Sequence, residues 1–99
     1  YRSETPAMYF LAMFNKKDIE KINGWDEAFL KGYAWEDSDF GDRWVRAGIP
    51  FIVDNEIMAR HQYHLRVETI PGGYERNGEL YNLNNVAKLI KVKDGLMKL

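Results

Sequence analysis

Six carboxylates, Asp26, Glu27, Glu36, Asp37, Asp39 and Asp42, fall within residues 26–42, where the only base is Lys31. Like charges at that density repel. Within the segment, Gly32-Tyr33-Ala34-Trp35-Glu36-Asp37 sets two aromatic rings and two adjacent carboxylates where a loop runs into a helix. Such a set suits a sugar. Aromatic rings stack on the apolar faces of pyranoses, and carboxylates accept hydrogen bonds from hydroxyls or take a proton from one. The same residues also have a purely structural reading, in which Asp37 caps the helix, Glu36 and Asp39 favour its positive end, and the aromatics belong to the core. Both roles can hold at Asp37, because a helix dipole keeps a carboxylate ionised on the loop side, where a base is needed.

His61 and His64 are the only histidines. On an extended segment, residues three apart point to opposite faces, so the pair makes a poor two-histidine metal site and at most one of them suits a ligand. A lone strand histidine is otherwise a satisfied core or surface residue.

The elements that position these groups follow from periodicity and punctuation. The apolar run 7–14 has strand length and lies between Pro6 and Asn15. A helix follows, with Asn15 as cap, Asp18 at the capping-box position, and Phe14 and Ile19 as a hydrophobic staple. Asn23-Gly24 stops it, the glycine taking the left-handed conformation. A second helix spans about 36–47, ends at Gly48 and presents Phe40, Trp44 and Val45 as its apolar face. Residues 49–54 and 57–64 read as short strands, and Pro71-Gly72-Gly73 as a turn. The spacing of Leu80, Leu83, Ala87 and Ile90 predicts an amphipathic helix over about 78–93. The fold class is therefore α/β, an α+β piece with few short strands and about three helices, and residues 1–99 form one unit.

The bulk properties exclude several functions. Net charge is −1, from 14 basic and 15 acidic residues, which lacks the footprint of a nucleic-acid binder. There is no cysteine, so disulfides, thiolate metal sites and a cysteine nucleophile are ruled out. No apolar run approaches the ~20 residues of a membrane span. Because the chain opens on Tyr1 with no signal-type segment, it is expected to be a piece of a longer protein. The expected location is cytoplasmic, with any attachment to the inner face of a membrane left to parts outside the chain.

The run from Phe14 to Phe29, containing Asn23-Gly24-Trp25-Asp26-Glu27-Ala28-Phe29, and then Gly32-Tyr33-Ala34-Trp35-Glu36-Asp37-Ser38-Asp39-Phe40 with Arg43, resembles glycosyltransferases. It is similar to the family-2 enzymes and to the carboxyl-terminal region of galactosyltransferases, with Met58-Ala59-Arg60-His61 following, so that the resemblance covers about residues 7–64. It implies the carboxyl-terminal, acceptor-side part of the A-type nucleotide-sugar transferase fold. By position, it makes Asp37 the base that deprotonates the acceptor hydroxyl in inverting enzymes, and Glu36, Tyr33 and Trp35 acceptor-binding residues. His61 would complete a Mn²⁺ or Mg²⁺ shell on the donor diphosphate, with His64, Asp39 and Arg43 in support. The implied partners are a nucleotide-diphosphate sugar and a saccharide acceptor.

Such enzymes carry their nucleotide-binding half and Asp-x-Asp metal motif amino-terminal to this region, and no segment here supplies them. Asp37-Ser38-Asp39 has the right letters but occupies the acceptor loop. The chain alone is therefore expected to be inactive, to hold no metal tightly, and to self-associate through surfaces meant for the missing half. Two other readings remain: a noncatalytic carbohydrate-binding or assembly module, and a metal-dependent hydrolase built on Glu36, Asp37, Asp39 and His61.

Overall fold

A computed structural model describes residues 11–54, 56–57, 60, 62–63, 65 and 70–99. The first helix, α1 (Lys16–Ile22), begins as its sequence dictates, with the Asn15 side chain accepting a hydrogen bond from the Lys17 N–H. Asp18 pairs with Lys21 at 3.2 Å. Both staple residues, Phe14 and Ile19, pack against the main hydrophobic cluster of Ile22, Phe40, Trp44 and Ile49. The helix stops at Asn23, itself left-handed at φ 59°, followed by left-handed Gly24 at φ 71°.

A 3₁₀ helix (Glu27–Lys31) is capped by Asp26, whose carboxylate accepts from the Ala28 N–H. Next comes α2 (Glu36–Arg46), which buries Phe40 and Trp44 as expected, whereas Val45 is exposed. Position 45 lies about 100° around the helix from 44, on the far side from Arg43 and Phe40.

The third helix, α3 (Gly73–Val86), starts earlier and ends earlier than the apolar spacing predicts, with the Pro-Gly-Gly turn forming its entry. Its inner face is also different. Gly73, Asn77 and Tyr81 are buried, while Leu83 is 68% exposed. The expectation counted apolar residues, but this interface is made by hydrogen bonds and close backbone approach. Arg46 of α2 binds the α3 carboxyl end, donating from Nε to the Leu89 carbonyl at 2.7 Å and from Nη1 to Asn85 Oδ1 at 3.0 Å.

The expected strands do not form among the described residues, where the only β pairing is an isolated bridge between Asp94 and Lys98. Residues 11–14 and 49–54 carry no regular structure, nor do the described residues of 57–64. A strand needs a neighbour to satisfy its N–H and C=O groups, and no other described segment pairs with these runs. Residues 1–10, and with them the first half of the expected first strand, lie outside the described residues, as do His61 and His64.

The carboxyl-terminal residues close over the end of α1. Asn23 donates from Nδ2 to the Val92 and Met97 carbonyls at 2.8 and 2.7 Å, and its Oδ1 accepts from the Met97 N–H at 2.9 Å. Lys98 pairs with both Glu27 and Asp94. No described helix is long and apolar enough to cross a membrane.

Candidate functional site

The acidic loop is held by side chains of α3. Asn77, fully buried, donates from Nδ2 to the Phe29 and Ala34 carbonyls, both at 2.9 Å, and its Oδ1 accepts from Arg76 at 2.7 Å. Arg76 in turn donates to the Ala28 carbonyl at 2.9 Å. The 3₁₀ helix and the loop after it are thus tied to α3 at both ends.

Ala34 and Trp35 are both left-handed, at φ 63° and 74°. This geometry costs a residue with a Cβ about 1–2 kcal/mol each. It persists because Asn77 fixes the Ala34 carbonyl, the Trp35 carbonyl accepts the Asp39 N–H at 3.0 Å, and the Trp35 ring packs beside Tyr74 and Tyr81. The strained pair turns the chain directly into α2, where Glu36 and Asp37 occupy the first two helical positions. Trp35 is the N-cap residue, so Asp37 is free of the capping duty that its sequence position suggested.

Asp37 is half-buried. Its proton affinity is raised above the ordinary carboxylate, first by burial and then by the neighbouring Glu36 charge, while a hydrogen bond from the Trp25 side chain works in the opposite direction. Tyr33, Trp35 and Glu36 are likewise partly exposed. The structure therefore brings Glu36, Asp37 and the two aromatics together at one helix end. Such a group can hold a hydroxylated ring and remove a proton from it.

Asp39 and Arg43 face the interior instead. Their side chains are 1% and 0% exposed and pair at 2.8 Å. Arg43 also donates to the Ile22 and Gly24 carbonyls at 2.7 and 2.8 Å, satisfying the end of α1. Asn84 donates to Asp39 at 2.9 Å and to Asp26 at 3.2 Å, so one amide of α3 bridges two carboxylates of the acidic stretch. Two of the six crowded acids thus have fixed donors, a guanidinium and an amide at Asp39 and neutral N–H groups at Asp26. Tyr81 hydrogen-bonds a third, Asp42.

Among the described residues no group of three or more His, Cys, Asp or Glu side chains could hold a metal. The residues missed by sequence reasoning are Asn77, Asn84 and Trp25. The signal for the two asparagines was the spacing 73, 77, 81, 84, which follows one helix face in glycine and polar letters rather than apolar ones.

Residues 10–81, well over half of the chain, match a protein family described as the N-terminal domain of galactosyltransferase. The chain is thus a glycosyltransferase-family domain, with which the small helical fold of the described residues is compatible. In particular, the chain belongs to that galactosyltransferase domain family. No curated protein and no solved structure matches it. The family description speaks of an N-terminal domain, whereas the motif resemblance pointed to a carboxyl-terminal region.

Proposed function

We propose that this chain is the acceptor-side, carboxyl-terminal part of an inverting, A-type transferase that moves a sugar from a nucleotide diphosphate to an acceptor hydroxyl. The observation that supports it best is Asp37 itself, a half-buried carboxylate of raised proton affinity that does not cap its helix, set beside Glu36, Tyr33 and Trp35. In this reading Glu36 and the aromatics hold the acceptor. Asp37 takes the hydroxyl proton as the oxygen bonds to the anomeric carbon, and the bond from that carbon to the diphosphate breaks, its electron pair leaving with the nucleotide. A carboxylate whose proton affinity is raised by burial is a stronger base than an ordinary one and is matched to that task.

The donor half lies outside this chain, so the chain alone transfers nothing. The described residues do not form a metal site, and no step above passes through one. A Mn²⁺ or Mg²⁺ on the donor diphosphate would draw His61 from this chain and its remaining ligands from elsewhere. Titration calorimetry of Mn²⁺ with a panel of nucleotide sugars tests this division. Tight donor binding by the isolated chain would contradict it.

Exposed apolar side chains, including Met13 at 96% and Ile52 at 91%, favour self-association of the isolated chain. Monomeric light scattering at high concentration would count against that. A noncatalytic carbohydrate-binding role predicts sugar binding with no loss on replacing Asp37, and the transfer assay of Asp37→Asn separates the two.

A further inference from the structure

Two consecutive residues with side chains, Ala34 and Trp35, stand at φ 63° and 74°, a backbone that such residues rarely adopt and that a bulky ring adopts least of all. Something must hold them there. The Trp35 carbonyl accepts from the Asp39 N–H at 3.0 Å, but that is the opening bond of α2 itself and would form with any entry into the helix. The bond at Ala34 is different. It comes from another element, α3, where Asn77 Nδ2 donates to the Ala34 carbonyl at 2.9 Å. The same nitrogen gives its second N–H to the Phe29 carbonyl, also at 2.9 Å, so one amide draws together the two ends of the stretch that carries Tyr33. Its oxygen is occupied too. Arg76 Nη1 donates to Asn77 Oδ1 at 2.7 Å and to the Ala28 carbonyl at 2.9 Å, which keeps the amide nitrogen turned toward the loop. Asn77 is 0% exposed, so water cannot take over its bonds if they are lost.

We propose that Asn77 is a positioning residue of the acceptor site: through the Phe29 and Ala34 carbonyls it holds the strained turn from which Tyr33, Glu36 and Asp37 project, and so sets how tightly the acceptor sugar binds without touching it. This rests on the reading of those three residues as the acceptor site. The role needs an amide. Both N–H groups meet carbonyls, so an aspartate of the same shape, able only to accept, would set its oxygens against two carbonyl oxygens. A turn restrained in this way also has a remedy. Glycine at position 34 takes φ 63° without strain and lessens the need for the tie.

The test compares Asn77→Asp with Asn77→Asp plus Ala34→Gly, both in the full-length protein. Two readouts are taken: the backbone ¹³C shifts of residues 34 and 35, which report φ and ψ, and the KM values for donor and acceptor in sugar transfer. Asn77→Asp is expected to move the shifts away from left-handed values and to raise the acceptor KM about ten- to a hundredfold, with the donor KM unchanged. Adding Ala34→Gly recovers part of that loss. Shifts unchanged in Asn77→Asp would overturn the tie. Shifts that move while the acceptor KM stays at the wild-type value would uphold the tie but overturn the placing of the acceptor at this turn, and with it the positioning role. Donor and acceptor KM rising together, with no recovery on adding Ala34→Gly, would mean that Asn77 serves stability alone and would equally overturn the proposal. Should Asn77→Asp fail to fold, Arg76→Met at a half-buried position removes the partner of Asn77 Oδ1 and is read in the same way, with a smaller rise in acceptor KM expected and no rise contradicting the role.

Discussion

A Cβ added to Gly32 would lie 2.2 Å from Asn77 Oδ1 and 2.7 Å from the Gly73 carbonyl, so α3 reaches the acidic loop only because residue 32 has no side chain. The approach is reciprocal, since a Cβ on Gly73 would come within 3.0 Å of the Gly32 carbonyl carbon. It lets Asn77 hold the Phe29 and Ala34 carbonyls and so sets the strained turn ahead of Asp37.

Gly32→Ala must push α3 and the loop apart. Overpacking of this kind costs about 1–3 kcal/mol. A lower melting temperature, accompanied by a loss of acceptor binding, is the expected outcome. Unchanged stability on thermal or urea unfolding would show that the two elements do not meet this closely.

Arg43 and Asp39 make the interior depend on a buried ion pair. Arg43→Met leaves the buried Asp39 with the Asn84 amide but no cation and takes the guanidinium from the Ile22 and Gly24 carbonyls, a loss of about 3–5 kcal/mol for one broken partner. Replacing both, as in Asp39→Leu with Arg43→Met, should recover part of that, because two apolar groups avoid the unpaired charge. Equal stability of the single variant and the parent would refute the pairing.

How far the letters carried can be judged from these residues. Helices α1 and α2 were legible because their ends are written locally, in Asn15, Asn23-Gly24 and Gly48, and because Phe40 and Trp44 keep helical spacing. The inner face of α3 was not, since Asn77 and Asn84 look solvated until their distant carbonyl and carboxylate partners are known. Asp39 and Arg43 were drawn to the site by motif position, yet their burial follows from contacts with α1 and α3 that no local pattern contains. The strand readings at 7–14, 49–54 and 57–64 rested on apolar, β-rich composition, which measures fitness for a sheet and not the presence of one.

The carboxyl-terminal clamp was equally invisible. A Cβ on Gly95 would fall 1.8 Å from the Asn23 carbonyl oxygen, which itself accepts the Leu96 N–H at 2.9 Å. Gly95→Ala should therefore lift residues 92–97 away from α1. Hydrogen exchange is the direct readout, with faster exchange expected at the Leu96 and Met97 amides. Protection equal to the wild type would contradict the clamp.

Asp37 also links pH to stability, and the sign is fixed by its raised proton affinity. Between its unfolded value of 3.8 and its higher folded value, the folded state holds more proton than the unfolded one, so stability falls as pH rises through that window. Asp37→Asn removes this contribution. The variant should be at least as stable as the wild type at neutral pH, by a small margin because the group is only half-buried, and its urea midpoint should vary less between pH 4 and 7. A variant plainly weaker at neutral pH would mean that the ionised carboxylate is stabilising.

The most direct measurement is sugar transfer by the full-length protein carrying Asp37→Asn, an isosteric change that removes the base. If Asp37 deprotonates the acceptor, kcat falls by about 100- to 10,000-fold while acceptor binding is retained. Transfer at near the wild-type rate would contradict the account at its centre.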